Sequence, residues 1–173
     1  MRYDYELFNE IIEAYSNALT LLDDYDHAAL TKSKGTTPAC QLEYNECREF
    51  INKMRFVNDS NVFGVEKEVG KLDGILKAIE QTAFGEEVYK SIEEKAANLL
   101  YFVIKDHPFV DGCKRIAAGL FVLYLGKNYK MLNENLTISN GTLASVTLLI
   151  AESKPEEKDI MINVIMRILL QRL

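Results

Sequence analysis

Apolar residues recur at helical spacing along almost the whole chain, and little interrupts them: 173 residues contain nine glycines and three prolines. Leu7, Phe8, Ile11, Ile12, Tyr15, Ala18, Leu19 and Leu22 follow the i, i+3, i+4, i+7 pattern of a helix with one apolar face, which predicts a first helix over residues 4–30. The run Lys32 to Pro38, with Gly35 inside it, breaks the pattern. A second helix over 41–56 would bury Leu42, Cys47, Phe50, Ile51 and Met54, and the polar stretch 58–61 reads as a turn. A third, over 64–80, runs through Val65, Val69, Leu72, Ile75, Leu76 and Ile79. Residues 81–90, with Gly85 near the middle, read as a short hairpin or an irregular loop. Ser91-Ile92-Glu93-Glu94 has the form of a capping box and opens a fourth helix that ends near Lys105. The fifth, 112–126, is apolar on most sides and should be central. Residues 127–135 connect it to two closing helices, 140–152 and 155–171, the last with Pro155 in its first turn and an acidic start. The glutamates Glu66, Glu68, Glu93 and Glu94 read as solvated faces. The expected fold class is all-α: one bundle domain over 31–173, with residues 1–30 as a helical arm able to pack on it.

Composition narrows the function classes. A formal charge of −6 and a pI near 5.1 argue against a sequence-independent nucleic-acid binder, which needs a net basic face. Cys40, Cys47 and Cys113 have no metal-ligand spacing, and with only His27 and His107 beside them a structural zinc site is not expected. The opening MRYDYELFNE has no apolar core of the signal-peptide kind, and no window of 18 apolar residues occurs. The expectation is a cytoplasmic protein with reduced thiols and no membrane partner.

One segment is chemically dense. Between the fourth and fifth helices, His107-Pro108-Phe109-Val110-Asp111-Gly112-Cys113-Lys114-Arg115 places a base, a carboxylate and two cations within nine residues. Gly112 permits a tight turn into the fifth helix, whose first N–H groups lack intrahelical partners. Lys114 and Arg115 oppose the helix dipole there, at a local cost of about 0.3–1 kcal/mol each, unless an anion binds between them. That makes the segment a candidate phosphate cradle. A carboxylate beside polyphosphate needs a divalent cation, and magnesium accepts one or two carboxylates with phosphate oxygens, which suits Asp111. A neutral imidazole can take a hydroxyl proton, which suits His107. Taken singly, His107 also fits a helix C-terminal cap, Asp111 a helix N-cap, and Lys114 with Arg115 a solvated pair. Cys113 reads as a small tolerated substituent or as a thiolate favoured by its cationic neighbours.

The segment resembles the signature of the Fic/Doc family, H-x-F-x-[DE]-G-N-[GK]-R, and the flanking SIEEKAANLLYFVIKDHPF and AAGLFVLYL are similar to its Doc-like and RhuM-like branch. The resemblance spans residues 64–130. It implies a Fic-like helical bundle with a flap hairpin before the signature, and a transferase that moves AMP, or in Doc a phosphoryl group, from ATP or another nucleoside triphosphate to a protein hydroxyl with Mg2+. By position it implies His107 as general base and Phe109 as anchor. Asp111 would hold the metal, while Gly112, Cys113, Lys114 and Arg115 would bind phosphate. Thr82, Phe84, Gly85, Val88 and Tyr89 would lie on the flap that holds the target by strand addition. Implied partners are a nucleotide, a target protein and an antitoxin chain; apart from the resemblance, the aromatic stripe of Tyr3, Phe8 and Tyr15 suits a structural role, assembly with a second copy through the N-terminal helix. Two positions depart from the family: Cys113 stands where it uses asparagine, and Ala118 where many members carry a second arginine. These departures also fit a binding module that has lost efficient catalysis. No [ST]-x-x-x-E-[GN] inhibitory helix is found, since Ser153 to Glu157 is interrupted by Pro155 and followed by Lys158.

Overall fold

The computed structural model describes residues 3–54 and 60–171. The chain forms eight α-helices among these residues: α1 (Tyr5–Ala14), α2 (Ser16–Asp26), α3 (Tyr44–Lys53), α4 (Lys71–Ile79), α5 (Ile92–Asp106), α6 (Cys113–Met131), α7 (Asn140–Glu152) and α8 (Lys158–Gln171). A single 3-10 turn, Pro155–Glu157, leads into α8, and two short strands, β1 (Thr82–Ala83) and β2 (Glu86–Glu87), lie between α4 and α5. The fold is an all-α bundle, as its periodicity predicted, with one small hairpin. The core centres on α5 and α6, which pack chiefly on each other, with α4, α7 and α8 against α5. Leu99, Leu100, Val103, Ile116, Leu120, Phe121 and Tyr124 fill that seam and are fully buried.

Several boundaries depart from the periodic reading, each for a physical reason. The first predicted helix is two, because Tyr15 leaves helical geometry at φ −109° and ψ 14° although no glycine or proline marks the place. Neither α1 nor α2 buries a residue: Leu7, Phe8, Ile11, Ile12, Leu19 and Leu22 are all exposed. The described tie between this arm and the bundle is the Arg167–Asp24 ion pair at 2.5 Å. The second helix starts three residues late, where Glu43 and Glu46 form a capping box, and its predicted end at 56, with residues 58 and 59 of the expected turn, lies outside the described residues. The third begins at Lys71, not at 64, because residues 64–67 pair with the loop after α5 and Gly70 turns the chain at φ +89°. The fifth continues to Met131: Asn128, read as part of a connection, is buried and its Oδ1 accepts the N–H groups of Ala39 and Cys40 at 2.9 and 3.0 Å.

The glutamates at the start of α5 are the plainest correction. Glu93 and Glu94 are buried, not solvated. Glu93 accepts from Thr36 N–H, Thr36 Oγ1 and Tyr129 Oη, all at 2.8 Å, which straps the linker after α2 onto α5. Ser91 does cap the helix, accepting from Glu94 N–H at 3.1 Å, but Glu94 reaches one residue further back, to Lys90 N–H at 3.0 Å, and pairs with Lys32. Glu66 is half-buried, accepting from Tyr44 Oη at 2.6 Å, and only Glu68 keeps a solvated face.

Candidate active site

The loop between α5 and α6 is built by two glycines, a proline and a borrowed segment. Pro108 disfavours the right-handed helical conformation in the residue before it. His107 lies outside that conformation and caps α5 in left-handed geometry, φ 51°, with its side chain exposed. Phe109 turns inward and is fully buried. The loop backbone is then stitched to residues 64–67: Gly64 N–H donates to the Asp111 carbonyl at 3.0 Å, Lys67 N–H to that of Pro108 at 2.8 Å, and Val110 N–H to that of Val65 at 2.8 Å. Gly112 sits at φ +92°, and a Cβ there would stand 2.3 Å from the Phe63 ring. Only glycine allows both the turn and that approach.

Residues 60–67 therefore hold the site, and periodicity hid them by continuing a helical pattern through Val65 and Val69. Arg48 Nη1 donates to the Gly64 carbonyl at 2.8 Å, and Glu66 both takes the Tyr44 hydroxyl and receives Leu72 N–H at 2.9 Å, anchoring the brace to the start of α4. The hydrogen bond to Glu66 raises the Tyr44 pKa. Gly64, at φ +70° with Ile51 2.6 Å from where a Cβ would be, was the available signal.

Around this frame His107 and the run Val110 to Arg115 line an open cleft of about 270 Å³. Gly112 is the N-cap of α6 and no side chain caps it, so the carboxylate of Asp111 is not spent as an N-cap. Asp111 instead lies half-exposed, 3.4 Å from Arg115 Nη2 and 3.3 Å from Ser60 Oγ. Arg115 also stacks over Phe63 at 4.8 Å. An exposed pair of this kind contributes about 1 kcal/mol at most, so an incoming anion can displace it. Lys114 is exposed at the mouth.

Cys113 is buried beneath the cleft. Its Sγ donates to the Phe109 carbonyl at 3.3 Å and stands 3.4 Å from His107 Nδ1. With the thiol proton directed at the Phe109 carbonyl, the sulfur is free to accept, a geometry compatible with the tautomer that carries its proton on Nδ1 and turns Nε2 outward. Burial raises the thiol pKa, so the thiolate reading loses its basis.

A metal would find one half-exposed carboxylate here. Among the described residues no three His, Cys, Asp or Glu side chains converge on a metal position. Magnesium, which keeps waters and takes phosphate oxygens beside one carboxylate, fits such a donor set; a protein-only cage does not.

The flap candidates separate into two groups. Thr82 pairs with Glu87 and Ala83 with Glu86, and Phe84 and Gly85 form the turn with φ 53° and 81°, the two positive values of a type I′ hairpin. Val88 N–H donates to the Gln81 carbonyl at 3.0 Å and closes the hairpin's base. Tyr89 leaves it: its ring packs on Phe102, and the Lys158 ammonium lies over both, 6.0 and 4.6 Å from the ring centres. A groove lined by Gly74, Ile75, Ala78, Phe102 and Asp106 runs between α4 and α5, which flank the hairpin in sequence, and reaches the residue before His107.

No helix among the described residues is long and apolar enough to cross a membrane. The model of the Fic/DOC family matches residues 41–125, from just before α3 to near the middle of α6, and so reaches further towards the N-terminus than the signature and its flanks. No curated protein and no solved structure matches the chain significantly.

Proposed function

Because the chain belongs to the Fic/DOC family, we propose that it is a protein-modifying transferase that moves AMP from a nucleoside triphosphate to a hydroxyl of a target protein. What supports the reading is one juxtaposition: an exposed imidazole opens onto the same cleft as the uncapped N-terminus of α6, with a half-exposed carboxylate between them. The cleft offers a proton acceptor, an anion cradle and a cation site, which together suffice for in-line phosphoryl chemistry.

In this reading the triphosphate lies along the first turn of α6. Its oxygens take backbone N–H groups there and the side chains of Lys114 and Arg115, the latter leaving Asp111. Magnesium, when bound, neutralises phosphate charge, and Asp111 is the side chain that would hold it. The target hydroxyl oxygen attacks the α-phosphorus while His107 Nε2 takes its proton. The new O–P bond forms, the bond to the bridging oxygen of the β-phosphate breaks, and pyrophosphate leaves. Attack at the γ-phosphorus by the same groups would transfer a phosphoryl group and release the diphosphate. The open edges of the hairpin suit a target segment adding as a further strand.

Incubation of the protein and magnesium with a cell lysate separates the two reactions. Label entering protein from α-labelled but not γ-labelled ATP supports AMP transfer, the reverse supports phosphoryl transfer, and label from neither refutes both. A second reading, a nucleotide-binding module with little turnover, draws on Cys113: its thiol faces the Phe109 carbonyl and gives no donor to the cleft. Calorimetric binding of ATP without any labelling would favour it.

A further inference from the structure

We propose that Lys95 is the positioning residue that fixes the hairpin relative to the base, an inference that rests on the transferase reading for its purpose but not for its geometry. The hairpin has no hydrophobic attachment of its own: residues 81–88 are all exposed, and its strands are two residues long. A two-stranded ribbon of that size does not hold a fixed place in water. The Lys95 side chain, on the first turns of α5, is 1% exposed. Its Nζ pairs with Glu80, the C-cap of α4 immediately before the hairpin, and with Glu87 Oε1 of β2 at 3.1 Å. One buried ammonium thus ties both ends of the ribbon to one point. The other oxygen of Glu80 is buried without a partner, so Lys95 is the group that stabilises that carboxylate. Glu94, the adjacent residue, adds a second anchor through Lys90 N–H.

The same helix that carries Lys95 ends at His107. Twelve residues at 1.5 Å each separate them, roughly 18 Å along one rigid rod. The clamp therefore sets the hairpin, and any target strand added to it, at a fixed distance from the imidazole.

Hydrogen exchange of the full chain, read on peptides over 81–90 and on α5 and α6, tests this. In Lys95→Met the hairpin amides should exchange at least about tenfold faster with the α6 amides unchanged. Glu87→Gln should give about threefold, and Lys95→Arg should stay near wild type. In labelling assays with ATP and lysate protein, both weakened variants should need several-fold more lysate protein for half-saturation at an unchanged KM for ATP. Hairpin exchange within twofold of wild type in a folded Lys95→Met chain overturns the proposal. Should that variant unfold, the same result in Glu87→Gln, whose side chain is half-exposed, overturns it. A wild type that labels nothing removes the transferase reading, while the exchange result still decides the clamp.

Discussion

Cys113 Sγ lies 3.4 Å from His107 Nδ1 while donating its own proton to the Phe109 carbonyl. The thiol thus lies beneath the proposed base and gives the proposed phosphate site no donor. Replacing it with asparagine supplies an amide that can reach a phosphate oxygen. A hydrogen bond to a charged group contributes about 1.5–3 kcal/mol, so Cys113→Asn should tighten ATP binding at least tenfold in calorimetry. Equal affinities would show that the cleft does not hold phosphate at this helix end.

His107 is tested without disturbing its backbone if the substituent tolerates left-handed geometry. Asparagine does so better than alanine. His107→Asn should lower protein labelling by 10²- to 10⁴-fold, the usual span for a lost general base, with ATP affinity unchanged. Labelling within threefold of wild type would remove His107 from the chemistry.

Two glycines with nearly the same backbone angle separate strain from collision. Gly70, at φ +89°, has open space where a Cβ would sit, whereas at Gly112, φ +92°, the Phe63 ring fills it. Gly70→Ala should cost about 1 kcal/mol from strain alone. Gly112→Ala should cost at least about 2 kcal/mol more in urea unfolding, because backbone and ring cannot both stay. Equal losses would mean that the loop relaxes freely away from residues 60–67.

Burial raises the pKa of Cys113 and Tyr124, and that of Cys47 to about 12. In the unfolded chain the same groups titrate at their ordinary values, so above pH 9 the unfolded state releases protons first. Stability from these groups is complete below pH 9 and is lost as pH climbs towards 12. Between pH 8 and 11 Cys47→Ala should flatten that alkaline decline by on the order of 3 kcal/mol, since about two tenfold steps in relative proton affinity, each worth about 1.4 kcal/mol, are lost by pH 11. Urea midpoints at pH 8, 9, 10 and 11 in both proteins give the comparison. Parallel curves would place Cys47 in contact with solvent.

The arm should be separable. With no buried residue in α1 or α2 and one ion pair to α8, a chain beginning at Thr31 should unfold within about 1 kcal/mol of the full protein. It should also bind less of a hydrophobic dye, since Phe8, Ile11 and Leu19 leave with the arm. A loss beyond about 2 kcal/mol would make the arm part of the bundle.

What could be read in the sequence follows the range of the interactions involved. Helices α5 and α6 and the loop between them are specified locally, by Ser91, by unbroken apolar spacing and by Pro108 and Gly112. The brace at 64–67 is specified by a partner some forty residues away, so Val65 and Val69 looked like one more helical turn. The same holds for charge. Nothing near Glu93 or Lys95 announces Thr36, Tyr129, Glu80 or Glu87, and without those partners a charged residue is rightly expected in solvent. The arm shows the converse: its apolar stripe was legible, but the surface it would cover is not formed by the described residues.

Phe84 carries a last consequence. Its ring stands fully in water at the tip of the hairpin, on a backbone angle that favours glycine or asparagine. Folding gains nothing from an aromatic ring there, so the isolated chain holds it at a loss. A surface that covers the ring would recover on the order of 2 kcal/mol, and the hairpin would then be more stable in company than alone.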